Sequence, residues 1–169
     1  MWETIDVNTG DVAVNGKASV LRAIAIGSCI VAAAYDSQTN TAGMAHIMLP
    51  GQAPPKARES TRYAFDSLEK MFALMTDLGS RVENVEVCLV GAGNVLQKED
   101  DTICGNNIAS ATSILAKRGI PVRASVLGGF TRKSVFLETR TGCVSYTEGD
   151  GPKTFLWRPL KSLAANGSG

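Results

Sequence analysis

The sequence lacks the features that mark membrane proteins and nucleic-acid-binding proteins. No stretch reaches the roughly eighteen apolar residues that a membrane span requires, and the N-terminus has no basic segment followed by an apolar one, as a signal peptide has. The 17 basic and 16 acidic residues leave a formal net charge of +1, without the basic excess of nucleic-acid binders. We therefore expect a cytoplasmic protein that neither inserts into a membrane nor binds nucleic acid.

Potential metal ligands are also scarce. The chain has one histidine, His46, and four cysteines, none of them in a C-x-x-C pair; the cysteines are Cys29, Cys88, Cys104 and Cys143. Because the cytoplasm keeps thiols reduced, we interpret all four as free thiols. Without clustered cysteine and histidine ligands, a structural zinc site is not expected.

The length and composition are those of a globular protein. The chain has 169 residues, of which 44% are hydrophobic and 20% charged, and domains usually contain about 100–200 residues. We predict a single domain over residues 1–160, followed by a flexible tail over residues 161–169 that ends in Asn166-Gly167-Ser168-Gly169.

Short apolar runs predict most of the strands, and two segments with helical spacing predict helices. The first helix would have Ser60 or Thr61 as its N-cap and end at Gly79, and the second would start near Asn106 or Asn107 and end at Gly119. The predicted strands are two short pieces within 4–15, then 21–26, 30–35, 42–49, 85–90, 121–127, 134–138 and 143–146. We therefore predict an α/β fold with mixed, largely antiparallel β layers packed with two main helices.

The strands on either side of residues 36–41 carry the most informative pair of side chains. Their apolar runs predict an antiparallel hairpin buried on both faces. If its turn is centred between Ser37 and Gln38, Cys29 lies directly opposite His46, with Cβ atoms about 4.5–5.5 Å apart. A register shifted by two residues would leave them diagonal neighbours on one face, whereas a shift of one would place them on opposite faces.

A thiol beside an imidazole is the minimum for cysteine-dependent catalysis. An imidazolium stabilises the reactive thiolate, and the imidazole can later transfer a proton. Gly27 and Ser28 allow a bend in the backbone whose N–H groups can stabilise an oxyanion. The alternative is that Cys29 is a small buried apolar residue and His46 an ordinary core histidine. Cys104 lies near a predicted helix start, and a helix N-terminus lowers the pKa of a thiol. It is therefore a secondary candidate for a reactive cysteine, although a structural role is more typical of a cysteine in this position.

Several runs together resemble the CheD family, the chemoreceptor glutamine deamidases of bacterial and archaeal chemotaxis. The most specific combination is Gly27-Ser28-Cys29 followed by Gly43-Met44-Ala45-His46. The remaining runs that carry the resemblance are 21–26, 34–36, 47–50, 62–64, 105–107, 128–129 and 141–142.

The resemblance implies that the protein is a cysteine hydrolase, a protein-glutamine glutaminase that converts receptor glutamines to glutamate and releases ammonia. The family's nucleophile corresponds to Cys29 and its histidine to His46, and no metal or cofactor is implied. The implied partners are chemotaxis receptors and a CheC-type phosphatase. The implied fold is similar to the catalytic domain of cytotoxic necrotizing factor toxins.

The sequence departs from the family pattern at two positions. Ala23 stands where the family usually has a threonine that completes the catalytic set, and Ala25 stands where it usually has a glycine. No third catalytic residue is therefore transferred. The alternative function is a weakly active or inactive binding module that docks on receptors or on the phosphatase.

Overall fold

Two five-stranded sheets and two helices make up most of the computed structural model, which describes residues 2–160. The predicted tail over 161–169 lies outside the described residues. The strands are β1 (Glu3–Asp6), β2 (Val12–Asn15), β3 (Ser19–Ile26), β4 (Ile30–Asp36), β5 (Thr41–Ile47), β6 (Val85–Gly91), β7 (Val122–Leu127), β8 (Lys133–Glu138), β9 (Val144–Glu148) and β10 (Thr154–Trp157). The helices are α1 (Ala64–Asp77) and α2 (Ile103–Lys117).

Both sheets mix parallel and antiparallel pairs. The first sheet has the order β1-β3-β8-β9-β10, and the second has the order β2-β5-β4-β6-β7. Among the strand pairs of the described residues, β1–β3 and β6–β7 are parallel and the others are antiparallel. The predicted fold of mixed, largely antiparallel layers with two helices is confirmed.

The second sheet lies in the middle of the molecule, between the first sheet and the helices. Alternate side chains of β4 and β5 belong to two different hydrophobic clusters, one packed against the first sheet and one packed against α1 and α2. Every residue of these two strands is buried. Burial on both faces explains their continuous apolar runs.

A glycine in β5 lets α1 approach the sheet closely. A Cβ added to Gly43 would lie 2.9 Å from both Met71 Cγ and Met75 Sδ. Such a distance is well inside van der Waals contact, so the methionine side chains of α1 fill the space that a larger residue would need. This close packing fixes the position of β5, which carries His46, relative to the helices.

Several strand ends differ from prediction by one to three residues, and the main differences concern the starts of the two helices and one additional strand. Residues Ser60–Arg62 form a 3-10 turn, and α1 has Tyr63 as its N-cap without a side-chain cap hydrogen bond, so the predicted Ser60 or Thr61 cap is wrong. Helix α2 begins at Ile103, earlier than the predicted start near Asn106 or Asn107, and so includes Gly105 in its first turn. The edge strand β10 is not among the predicted strands, and its four residues are exposed or half-buried. Within the described residues, neither helix is long and apolar enough to span a bilayer.

Candidate active site

The register of the β4–β5 hairpin places Cys29 and His46 on one face. His46 pairs with Val31, and Ile30 pairs with Ile47, so the predicted direct opposition of Cys29 and His46 is wrong by two residues. The reason is that the chain turns over residues 37–40, farther along than predicted. Cys29 precedes β4 by one residue and packs against the hydrophobic cluster that faces the first sheet. Because side chains alternate with a period of two, His46 lies on the same face of the sheet, so the two residues are diagonal neighbours, a relation in which Cβ atoms typically lie up to roughly 7–8 Å apart.

His46 is held by the segment that connects β1 to β2. Its side chain is 4% exposed, and its Nδ1 lies 2.9 Å from the carbonyl oxygen of Val7. A carbonyl can only accept, so Nδ1 carries the proton and donates it, and Nε2 keeps a free lone pair. The backbone of His46 is held as well, because its N–H donates to the Asp11 carbonyl and its carbonyl accepts from the Gly10 N–H.

Burial keeps the imidazole neutral. Desolvation lowers the pKa of His46 below its ordinary value of 6.5, against the hydrogen bond to Val7 and the charge of Asp11, which both raise it. At neutral pH the ring is therefore a base with an available Nε2.

A tight turn at residues 8–11 brings a hydroxyl to Cys29. The Asp11 N–H donates to the Asn8 carbonyl across the turn, and Gly10 adopts φ +84°, which glycine tolerates best. At the tip of the turn, the Thr9 side chain lies near the Cys29 thiol, and its hydrogen-bonding interaction with the sulfur lowers the pKa of Cys29.

A cavity of about 370 Å³ opens beside this turn. It is lined by Asp6, Val7, Asn8, Thr9, Arg22, Ile24 and His46. Thr9 and His46 thus face the same space, which is large enough to admit a side chain.

Cys29 itself is half-buried and precedes β4 by one residue. Desolvation raises the pKa of its thiol, and the hydrogen bonds from Thr9 and from its own backbone N–H only partly offset this. The expected thiolate stabilised by an imidazolium is therefore not what the structure shows. Among the described contacts, no hydrogen bond joins the side chains of Cys29 and His46, and in the resting state both are neutral.

The backbone around Cys29 points its carbonyls into the protein. The Gly27 carbonyl accepts from the Gly93 N–H at 2.9 Å, and the Cys29 carbonyl accepts from the Ala92 N–H at 2.7 Å. Between them, the Ser28 carbonyl accepts from Asn107 Nδ2 at 2.9 Å. Within residues 2–160, the N–H groups of Ser28 and Cys29 donate to no other residue, and the Cys29 N–H interacts only with its own sulfur, which lowers the pKa of the thiol. They are therefore available to a ligand.

Gly91, at the end of β6, allows this arrangement. It adopts φ +128°, and a Cβ at this position would lie 2.4 Å from the Cys29 carbonyl oxygen. Any larger residue would displace the Cys29 backbone, so the glycine permits β6 to pack directly against the segment that carries the thiol.

The other cysteines lie apart from this arrangement. Cys104 is buried in the first turn of α2, and burial together with Asp101 raises its pKa to about 11, so the expected lowering by the helix start is wrong. Cys88 is core, and burial raises its pKa to about 12. Cys143 is half-buried, and desolvation raises its pKa too.

Residues 23 and 25, where the sequence departs from the family pattern, have different environments. Ala23 is 1% exposed in the core between the sheets, so position 23 offers His46 no hydroxyl. Ala25 adopts φ +54°, in the left-handed region where glycine is favoured, which gives a physical reason for glycine at that position.

Sequence reasoning predicts Cys29 and His46 as the site residues but does not predict the residues that hold them. The turn at Asn8-Thr9-Gly10 was visible as a break between two strands, yet nothing local placed it beside the thiol. Asn107 belongs to the run 105–107 that carries the family resemblance, but this run does not indicate which residues its side chain contacts. Among residues 2–160, no group of three or more histidine, cysteine, aspartate or glutamate side chains is placed to share a metal ion.

Comparisons with known proteins give a consistent picture. Residues 48–148 match the model of a family described as CheD, chemotactic sensory transduction. A Chlorobium luteolum protein named probable chemoreceptor glutamine deamidase CheD is 39% identical over 150 residues, which cover 88% of this chain and 75% of that protein. Proteins of the same name from Haloarcula marismortui and Archaeoglobus fulgidus are both 30% identical, and cover 83% and 88% of this chain and 82% and 97% of their own lengths.

The extent of these matches matters for the site. The family model begins after both Cys29 and His46. The match to the Chlorobium protein spans 150 residues of this chain, so it includes both Cys29 and His46.

Proposed function

Since this chain belongs to the CheD family, we propose that it is a protein-glutamine glutaminase that deamidates glutamine side chains of chemotaxis receptors. The names of its relatives support this substrate. The reaction takes place on the cytoplasmic part of the receptor, where thiols stay reduced. The observation that carries the proposal is the placement of Cys29 and His46 on one face of neighbouring strands, with the lone pair of His46 Nε2 free.

In the first step, the sulfur of Cys29 attacks the carboxamide carbon of the glutamine. The thiol proton passes to His46 Nε2 as the S–C bond forms, because both groups are neutral beforehand. The imidazolium then gives this proton to the leaving nitrogen, the C–N bond breaks, and ammonia departs from a thioester.

Backbone N–H groups stabilise the negative oxygen of the tetrahedral intermediate. Ser28 and Cys29 supply them, since their carbonyls are held inside the protein and their N–H groups are unpaired with the rest of the described chain. Such donors act where charge develops in the transition state and typically contribute about 10²–10³-fold to kcat each.

In the second step, water hydrolyses the thioester. His46 Nε2 removes a proton from the water as its oxygen attacks the acyl carbon, and the C–S bond breaks. The proton returns to sulfur, which leaves glutamate on the receptor and restores the thiol. Water and glutamine are consumed, and glutamate and ammonium are produced once the new carboxylic acid has given its proton to the released ammonia.

The test is ammonia release from a receptor cytoplasmic fragment. We expect release by the wild-type protein and by Cys143→Ala, a matched control because Cys143 is also half-buried. We expect none from Cys29→Ala. His46→Asn, whose amide can still donate to the Val7 carbonyl, should fold but lose activity. Equal release by Cys29→Ala and wild type would refute the proposal.

A second candidate function is a binding module that docks on receptors or on a CheC-type phosphatase. The observation that favours it is the raised pKa of Cys29 together with the missing hydroxyl at Ala23. It predicts receptor binding by both wild type and Cys29→Ala, with no ammonia from either. We also propose that a CheC-type phosphatase is a partner of the deamidase. We further propose that the fold is similar to the catalytic domain of cytotoxic necrotizing factor toxins.

A further inference from the structure

The peptide group between Ser28 and Cys29 has its orientation fixed from one side. In a trans peptide the carbonyl and the following N–H lie in one plane and point in opposite directions. The Ser28 carbonyl is held by Asn107 Nδ2 at 2.9 Å. Whatever fixes this carbonyl therefore also fixes the direction of the Cys29 N–H.

Asn107 reaches both chain segments that carry the site. Its side-chain nitrogen also donates to the Met48 carbonyl at 3.1 Å, two residues beyond His46. The side chain is fully buried in α2, and its two hydrogen bonds to the exposed residues Ser28 and Met48 are part-buried. One amide thus ties the chain before β4 to the chain after β5.

We propose that Asn107 is a positioning residue for deamidation, which aims the Cys29 N–H at the oxyanion by holding the Ser28 carbonyl. This inference rests on the proposed function. Asn107 touches neither the thiol nor the substrate in this scheme, and it acts only through the peptide group.

The chemistry of the buried amide supports a role beyond packing. Asn107 Oδ1 is buried without a hydrogen-bond partner within the described chain, and leaving a buried acceptor unsatisfied costs stability. The other buried residues of α2 include Ala111 and Leu115, which carry no such cost. The two donated hydrogen bonds are thus what the amide provides here.

The experiment compares two reactions of the same sulfur. Deamidation builds negative charge on a carbonyl oxygen, whereas alkylation of Cys29 by iodoacetamide occurs at a saturated carbon and forms no oxyanion. For Asn107→Ala we expect kcat on the receptor fragment to fall by about 10²- to 10³-fold, the range for losing one oxyanion donor. The KM, the alkylation rate of Cys29 and the pH dependence of that rate should stay close to wild type.

Two further variants serve as controls. Asn106→Ala changes an exposed residue on the same turn of α2 and should leave kcat unchanged. Asn107→Leu has nearly the shape of asparagine, lacks its NH₂ donors and leaves no polar side-chain atom buried, so it should lose kcat as the alanine variant does even if the alanine variant folds poorly.

Each outcome of the Asn107 experiment leads to a different conclusion. An unchanged kcat in folded Asn107 variants would overturn the inference. A parallel loss of kcat and of alkylation rate would also overturn it, because the side chain would then support the whole site rather than the oxyanion donor. Absence of activity in the wild-type protein would instead count against the proposed function.

Discussion

Replacing Thr9 by valine removes the hydroxyl next to the Cys29 sulfur while keeping the shape of the side chain. The hydrogen bond from Thr9 opposes the desolvation that raises the pKa of Cys29. A hydrogen bond to the charged form of a group favours that form. Thr9→Val should therefore raise the thiol pKa further, with no effect on the packing of the core because Thr9 is exposed.

The size of this effect follows from the strength of one hydrogen bond. Hydrogen bonds to charged groups contribute about 1.5–3 kcal/mol, and the exposure of Thr9 places this one at the low end, so the pKa should rise by about one unit. That change removes about nine-tenths of the thiolate at neutral pH. The remaining thiolate is a better nucleophile because its pKa is higher. With a Brønsted coefficient of about 0.4–0.5, its rate constant rises about threefold and partly offsets the loss of thiolate.

The expected profile therefore crosses that of the wild type. Exchange of Cys29 with an aromatic disulfide should slow by about three- to fourfold at neutral pH and accelerate by about threefold at alkaline plateau. The rate is measured for each cysteine by mass spectrometry of the mixed disulfides, with Cys143 as internal reference because Thr9 does not influence it. Thr9→Ser keeps the hydroxyl and should match the wild type. Identical profiles for Thr9→Val and wild type would show that the hydroxyl does not act on the sulfur.

Two further predictions concern pH and backbone strain. The pKa of His46 in the folded protein lies below its ordinary value of 6.5. Between these two pKa values the unfolded chain therefore binds more protons than the folded protein. The stability that the neutral ring contributes is complete above pH 6.5 and is lost as the pH falls through the folded pKa. The urea midpoint should fall between about pH 8 and about pH 5, less steeply in His46→Asn, and equal slopes would contradict the buried neutral ring. Ala25→Gly should remove the cost of the left-handed conformation, about 1–2 kcal/mol. The greater conformational entropy of glycine in the unfolded chain offsets about 0.4–1 kcal/mol of this gain. Its urea midpoint should not fall, whereas that of Ala23→Gly, at a buried position in the same strand, should; a fall in Ala25→Gly would show that residue 25 is not strained.

Local sequence signals predicted the fold where burial and pattern agree. The continuous apolar runs of β4 and β5 identified strands covered on both faces, and helical spacing identified α1. The start of α1 was wrong because Ser60 and Thr61, good capping residues in isolation, belong to a 3-10 turn. That turn is held by long-range pairing of Arg62 with the end of β5, which no local propensity records.

The site shows the same division between local and distant information. The alternation of side chains along the hairpin placed Cys29 and His46 on one face even though the register was wrong, since an error of two residues preserves the face. The partners of these residues come from elsewhere in the chain. Val7 is 39 residues from His46, and Asn107 is 79 residues from Ser28, so only the packing of the two sheets and α2 brings them together.

The neutral state of the site determines which groups the proposed reaction needs most. Burial raises the pKa of Cys29 and lowers that of His46, so moving the proton from sulfur to nitrogen is unfavourable until the sulfur begins to bond to carbon. Thiolate formation and attack on the carboxamide must then proceed together, and the negative charge passes directly to the carbonyl oxygen. Stabilisation of that oxygen must therefore offset the cost of the proton transfer. For this reason the Cys29 N–H, and the Asn107 side chain that orients it, should matter more here than in a site with a preformed ion pair.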